Sequence, residues 1–252
     1  MNSYTGFAEF YDLFMDNIPY KEWCDYLISL LKEYNIHNGL VLDMGCGTGN
    51  ITELLASSGY DMIGIDNSED MLTAAMDKRY DSGLDILYLL QDMREFELYG
   101  TVAAAVSICD SMNYILEYDE LVTVFKLVNN YLDPQGIFIF DLNTIFKYEN
   151  MGDTVIAENR EEGSFIWENS YFKDKRLNQY DLTIFAKDED ERYTKFEETH
   201  IQRGYTLDEI KNALKDAGLE FVTSYSAFTR EPVKGNEDRI YIIAKEHGKK
   251  LS

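Results

Sequence analysis

The stretch Asp43-Met44-Gly45-Cys46-Gly47-Thr48-Gly49 follows the apolar run Leu40-Val41-Leu42 and precedes Ile51, Leu54 and Leu55, which recur at helical spacing. It reads as a strand, a glycine-rich turn and a helix. Glycines in such a turn let backbone amides come close to a ligand, and the start of the following helix favours negative charge there.

Downstream, Met62-Ile63-Gly64-Ile65 is a second apolar strand ending at Asp66, after which Ser68 can cap a helix carrying Met71, Leu72, Ala75 and Met76. Strands are expected at 86–90 and 101–108, then a helix with Leu121, Val124, Phe125 and Val128 on one face. A turn at Asp133-Pro134-Gln135-Gly136 leads into a strand at 137–140. Upstream, Phe7, Phe10, Tyr11 and Phe14 keep helical spacing, and Trp23, Leu27, Leu30, Leu31 and Tyr34 resume it after Pro19. Strands alternating with amphipathic helices predict an α/β fold, a doubly wound and mostly parallel sheet covered on both faces. Ligands bind such sheets beyond the carboxyl ends of the strands, where Asp43, Asp66, Asp92 and Asp110 fall.

Between about 145 and 204 the pattern changes. Segments 164–172, 179–187 and 192–202 look extended, with the acidic turn Asp188-Glu189-Asp190 between two of them. The core resumes at Thr206, which with Glu209 forms a T-x-x-E capping box for a helix through Ile210 and Leu214 that ends at Gly218. Strands at 221–228 and 240–244 complete the sheet. The expected organisation is a core of residues 1–144 and 205–252 with an N-terminal helical lid, and a β-rich inserted cap over 145–204.

Lys and Arg total 23 against 46 Asp and Glu, a net charge of -23. That charge argues against long nucleic acids and anionic membranes as partners. The only basic cluster, Lys245, Lys249 and Lys250, is at the tail. Cys24, Cys46 and Cys109 are scattered without a CxxC, which argues against a metal site or a disulfide framework and for a reducing, cytoplasmic setting. The first residues, Met-Asn-Ser-Tyr, lack the basic and apolar regions of a signal peptide, and no apolar run reaches the roughly 20 residues of a membrane span.

A dinucleotide fingerprint, G-x-G-x-x-G, would put its third glycine at position 50, which is Asn50; here glycines alternate at 45, 47 and 49. An acidic residue followed by G-x-G-x-G resembles the first motif of the class I S-adenosylmethionine-dependent methyltransferases of small-molecule type. Asp66 at the end of the next strand strengthens the likeness, which covers roughly residues 40 to 142 and continues in the order of the final helix and strands. The resemblance implies a Rossmann-like seven-stranded sheet and S-adenosylmethionine as cofactor. It assigns Asp43 to the methionine ammonium and Gly45 to close backbone packing against the methionine part, with the exposed amides around Thr48 and Gly49 helping to hold the cofactor carboxylate; Cys46 and Gly47 complete the loop, Cys46 reading as a small filler because nothing nearby activates it as a nucleophile. Asp66, with Asn67 beside it, would receive the ribose hydroxyls, and Asp92-Met93 would meet adenine. Residues 108–113, Asp110 among them, would lie beside the reactive methyl. Tyr11-Asp12 resembles the lid pair near the cofactor, where Tyr11 could offer a hydroxyl and an aromatic face to the sulfonium.

A sulfonium is already an activated leaving group, so the protein needs to align the acceptor, exclude water and, where required, take a proton. Tyr11, Asp110 and His200 are the candidate catalytic residues, His200 as a base working near neutral pH. Trp167, Tyr171 and Arg203 are further useful side chains of the cap. Cys109-Asp110-Ser111-Met112-Asn113-Tyr114 stands where enzymes that methylate base amino groups carry a D/N-P-P-Y/F-type motif, which favours a small-molecule acceptor. The accepting atom (N, O, C or S) and the oligomeric state stay open. So do three competing activities: non-catalytic S-adenosylmethionine binding as a sensor or partner protein, nicotinamide-dependent oxidoreduction, and aminopropyl transfer.

Overall fold

Leu40–Met44 (β1) alternates its contacts: Val41 packs into one core and Leu42 and Met44 into another, so both faces of this strand are covered. The computed structural model describes residues 18–187 and 191–249. Before β1 comes α1 (Tyr20–Glu33), and after it α2 (Asn50–Ser57), β2 (Asp61–Asp66), α3 (Glu69–Ser82), β3 (Ile86–Leu90) and β4 (Val102–Ser107). Then follow α4 (Tyr118–Tyr131), β5 (Leu132–Asn143), α5 (Ile145–Met151), β6 (Thr154–Asn159), β7 (Gly163–Phe172), β8 (Leu177–Lys187) and β9 (Tyr193–Arg203). The chain returns through α6 (Leu207–Asp216), β10 (Leu219–Ser226) and β11 (Arg239–Glu246).

The main sheet has seven strands in the order β10-β11-β5-β4-β1-β2-β3. β1 to β5 run parallel, and β11 is antiparallel to both β5 and β10. This is the doubly wound, mostly parallel α/β sheet that the alternation predicts. One core unites α4 and α6 with Leu42, Ile65, Phe138 and Phe140; the other unites α1 and α2 with Val41, Val106, Ile139 and Ile243. Connections diverge from β1 toward β2 and from β4 toward β5, so the topological switch lies beyond the carboxyl ends of β1 and β4.

The second sheet, β6-β7-β8-β9, is antiparallel throughout. Alternate residues of β8 (Asn178, Tyr180, Leu182, Ile184 and Ala186) are buried, and Phe165, Leu182, Ile184 and Ala186 pack against Met71 of α3. One face of this sheet therefore lies on the core. Two of its neighbours escape the sequence reading. α5 is short and is started by Thr144, whose hydroxyl accepts from the Lys147 amide. β6 is an edge strand whose Val155 and Ile156 are 65% and 58% exposed, so it carries no apolar alternation to read. The expected turn at 133–136 is a bulged part of β5, with Gln135 at φ 69° and a register shift against β4. The capping box at Thr206 and Glu209 forms in both directions. No described helix is long and apolar enough to cross a membrane.

Candidate functional site

A cleft of about 400 Å³ opens at the carboxyl ends of β1, β2 and β4, with β9 of the small sheet on its far side. That volume falls in the range of small-molecule sites.

The glycine loop is tied to β2 by the Gly45 and Cys46 amides, which both donate to the Ile65 carbonyl at 2.8 and 3.0 Å. Gly45 (φ 70°) has no room for a side chain: a Cβ there would lie 2.7 Å from the Ser111 hydroxyl. Gly47 (φ 54°) faces open space, and its amide donates to the Asp66 carboxylate at 2.8 Å. Gly49 is the N-cap of α2 and packs against Tyr88 and Ala75, so it shapes the loop without lining the cleft.

Asp43, Asp66, Asn67, Asp92 and Met93 all line the cleft. Asp43 is 2% exposed, and burial pushes its carboxyl up to about 7, against the opposing pull of a Thr52 hydroxyl bond at 2.6 Å; the negative Asp66 adds to the rise. Burial also raises Asp66, while amide bonds from Ser68 and Gly47 hold it down. Asp92 is lowered, chiefly by Arg94, which grips it through Nε at 2.9 Å and Nη2 at 2.5 Å. Burial keeps the Cys46 and Cys109 thiols well above their ordinary range, so both remain protonated, as a filler would.

The other half of the cleft is walled by Ile108, Cys109, Ser111 and Tyr114 from the core and by Glu198 and His200 from β9. Cys109 (φ 64°) and Asp110 (φ 57°) are consecutive left-handed residues, a conformation that needs support from its surroundings. Asp141, fully buried on β5, supplies it by accepting the Asp110 amide at 2.7 Å. Arg239 of β11 pairs with both carboxylates, 2.5 Å from Asp110, and lies over Trp23 at 5.0 Å. Asp110, expected beside the reactive methyl, does not line the cleft: Arg239 and the Gln202 amide (2.6 Å) hold its carboxylate. Arg203 is similarly occupied, by the Leu116 carbonyl at 2.7 Å and Glu209 at 3.3 Å, and Tyr171 stacks on Tyr148. Trp167 packs edge-on against Tyr180.

His200 does reach the cleft, with Glu198 at 3.0 Å from Nε2 and the Tyr114 hydroxyl at 3.3 Å from Nδ1. Tyr114, Glu198, Gln91 and Arg94 are lining residues that sequence reasoning did not single out, and Thr48 of the glycine loop lines the cleft with them. Tyr11, with Phe7, Phe10, Asp12 and Phe14, lies outside the described residues.

S-adenosylmethionine fits what these residues offer. Open space stands over Gly47, a carboxylate waits at the end of β2, and a second buried carboxylate lies beside the loop where a cation would relieve its desolvation. Among the described residues no group of three or more His, Cys, Asp or Glu is placed to hold a metal ion.

Residues 41–136 match the family described as methyltransferase domain. The chain is 35% identical over 245 residues to the putative methyltransferase YqeM of Bacillus subtilis (strain 168), covering 96% of this chain and 97% of that protein. It is 31% identical to an S-adenosylmethionine-dependent methyltransferase from Clostridium acetobutylicum ATCC 824, whose crystal structure superposes with a TM-score of 0.87 over 96% of this chain and 98% of the other. The fold alone is shared with the sugar N-methyltransferase KedS8 from Streptoalloteichus sp ATCC 53650, at 16% identity and a TM-score of 0.76, covering 96% and 94% of the two chains. The strand order, the glycine loop held by Asp66 and these likenesses lead to one conclusion: the chain belongs to the S-adenosylmethionine-dependent methyltransferases, and S-adenosylmethionine is its cofactor.

Proposed function

We propose that this methyltransferase acts on a small-molecule acceptor held between the cofactor loop and the small sheet, with residues 145–204 serving as its cap. One observation carries the reading: the cleft is walled by the core on one side and by Glu198 and His200 of the inserted sheet on the other. Its 400 Å³ suits a small ligand. The acidic charge and the small-molecule substrate in the printed name of KedS8 agree with it. Three free cysteines fit a cytoplasmic setting.

Bound in the cleft, the cofactor supplies an electrophilic methyl on a positive sulfur. Asp66, already fixed by the Gly47 and Ser68 amides, would receive the ribose hydroxyls, with Asn67 beside it. Asp43 would face the methionine ammonium, and Asp92 and Met93 would border the adenine. Ser111 packs on Gly45 and keeps the loop close to the strand ends, while β9 excludes water from the far side. His200 would take a proton from the acceptor where one must leave.

Calorimetric titration with S-adenosylmethionine, S-adenosylhomocysteine and NADH tests the pocket, and transfer of labelled methyl to small molecules tests turnover. Micromolar binding of the two sulfur ligands without NADH, followed by acceptor-dependent label transfer, is the expected result. Tight binding with no transfer to any acceptor would instead make the chain a sensor or partner protein.

A further inference from the structure

We propose that Tyr114, His200 and Glu198 form a proton relay facing the cleft, and that its acceptor is a small primary or secondary amine. The proposal rests on the small-molecule methyltransferase reading above and deepens it.

The three side chains come from two elements that meet only in the folded chain. Tyr114 ends the short 3-10 turn after β4, whereas Glu198 and His200 are alternate residues of β9 and so share one face. A carboxylate can only accept, so the 3.0 Å contact to Glu198 places the imidazole proton on Nε2 and leaves Nδ1 to accept from the Tyr114 hydroxyl at 3.3 Å. The two rings meet edge to face at 5.8 Å. Tyr180 stands opposite His200 on β8, and Gln202, one step along the same face, is anchored on Asp110, so the strand that carries the imidazole is fixed at both sides. Tyr114 is 43% exposed, and its exposed part borders the cleft. The protein packed around its phenol, together with the negative Asp110, holds the hydroxyl proton on.

Charge selects the acceptor. With Asp43, Asp66 and Asp92 turned to the cofactor, the described lining beside Tyr114 and His200 carries the carboxylate of Glu198, and the one guanidinium, Arg94, is already paired with Asp92 and Glu120. A cation is drawn into such a cleft and a carboxylate acceptor is repelled. Acidity selects further. An alkylammonium, titrating at about 10.4, gives up its proton to a neighbouring base far more readily than the hydroxyl of an alcohol does.

The step balances as follows. The ammonium gives one proton to the Tyr114 oxygen while the Tyr114 proton passes to Nδ1 of His200, and Glu198 stabilises the resulting imidazolium. The freed nitrogen lone pair forms the N–C bond as the C–S bond breaks and its electron pair stays on sulfur. The imidazolium then loses its proton to water. Tyr114 is the residue that touches substrate, His200 the proton sink and Glu198 a positioning residue.

The test offers methyl-labelled S-adenosylmethionine and the full chain a mixture of small primary and secondary amines, and in a second reaction the matching alcohols and carboxylates, with products identified by mass. Label should enter amines only. Tyr114→Phe and His200→Gln should each lower the rate about a hundredfold. Glu198→Gln should lower it less and move the acidic limb of the pH–rate profile to lower pH, because the imidazolium loses its counter-charge; a structural role for Glu198 would leave that limb in place. Label in alcohols or carboxylates, full activity in Tyr114→Phe, or no label in either mixture while S-adenosylhomocysteine binds would each overturn the proposal. Failure of the wild-type chain to bind S-adenosylhomocysteine would strike the methyltransferase reading itself.

Discussion

Thr52, in the first turn of α2, donates its hydroxyl to Asp43 at 2.6 Å and is the one side-chain bond that restrains the upward shift of that buried carboxyl. With Asp43 at about 7, the carboxyl of the free protein is largely neutral at pH 6 and largely ionised at pH 8. A cationic ligand group needs the ionised form, so cofactor affinity should fall about tenfold from pH 8 to pH 6. Calorimetry at the two pH values checks this. Thr52→Val removes a bond that favours the ionised form and should move the midpoint upward.

The same carboxyl acts on stability with the opposite sign. Between the unfolded value near 3.9 and the folded value of about 7, the folded chain keeps a proton that the unfolded chain releases. Stability of the ligand-free protein should therefore decline as pH rises through that window, by about 4 kcal/mol from Asp43 alone. Urea unfolding of the wild type and of Asp43→Asn at pH 4.5 and 7.5 measures it, with the smaller decline expected in the variant.

Asp66→Ala removes both the expected ribose contact and the acceptor that fixes the Gly47 amide. Each charge-assisted hydrogen bond lost costs about 1.5–3 kcal/mol, so affinity for S-adenosylhomocysteine should drop at least tenfold. Asp92→Ala should cost less, since Arg94 already satisfies much of that carboxylate. Equal losses in calorimetry would contradict the different settings of the two acids.

Gly47→Ala and Gly49→Ala separate binding from folding. Both positions are left-handed, a strain of about 1–2 kcal/mol for alanine. A methyl at 49 also meets the Tyr88 ring at 3.1 Å, so thermal unfolding should show the larger loss there. A methyl at 47 has open space and instead intrudes on the cleft, so calorimetry should show the larger loss of cofactor affinity in Gly47→Ala.

Arg239→Met leaves Asp110 and Asp141 without their counter-charge. Breaking a buried pair by removing one partner costs about 3–5 kcal/mol, and acid should return part of this as the carboxyls protonate. Denaturant unfolding at pH 5 and pH 7.5 checks the sign, and Asp141→Asn in the same chain should recover part of the loss at pH 7.5.

The main sheet was legible because strands covered on both faces carry apolar runs, as in Leu40-Val41-Leu42, and because the Thr206 capping box is written in four consecutive residues. The placement of the glycine loop and of Asp66 at the strand ends was legible too, because both are set by local geometry. β6 was not, since an exposed edge strand buries nothing that would pattern it. The side of the cleft that faces β9 was not either. Tyr114 and His200 meet across 86 positions, and Arg239 claims Asp110 across 129, so no spacing announces either contact. Asp110 looked like a strand-end acid free to serve the ligand until a cation from β11 was placed beside it.

β11 follows every other described strand in chain order, yet it lies between β5 and β10 and pairs with β5 from Arg239 opposite Asn143 to Lys245 opposite Ile137. A chain emerging from the ribosome must therefore carry the apolar strand Ile137-Phe138-Ile139-Phe140 as an unpaired edge while the whole small sheet is being made. Long-range pairing of this kind is slow and exposed to aggregation. The guanidinium that steadies the cleft arrives with that last strand. A nascent chain thus gains the Arg239 clamp on Asp110 and Asp141 only as its riskiest edge closes.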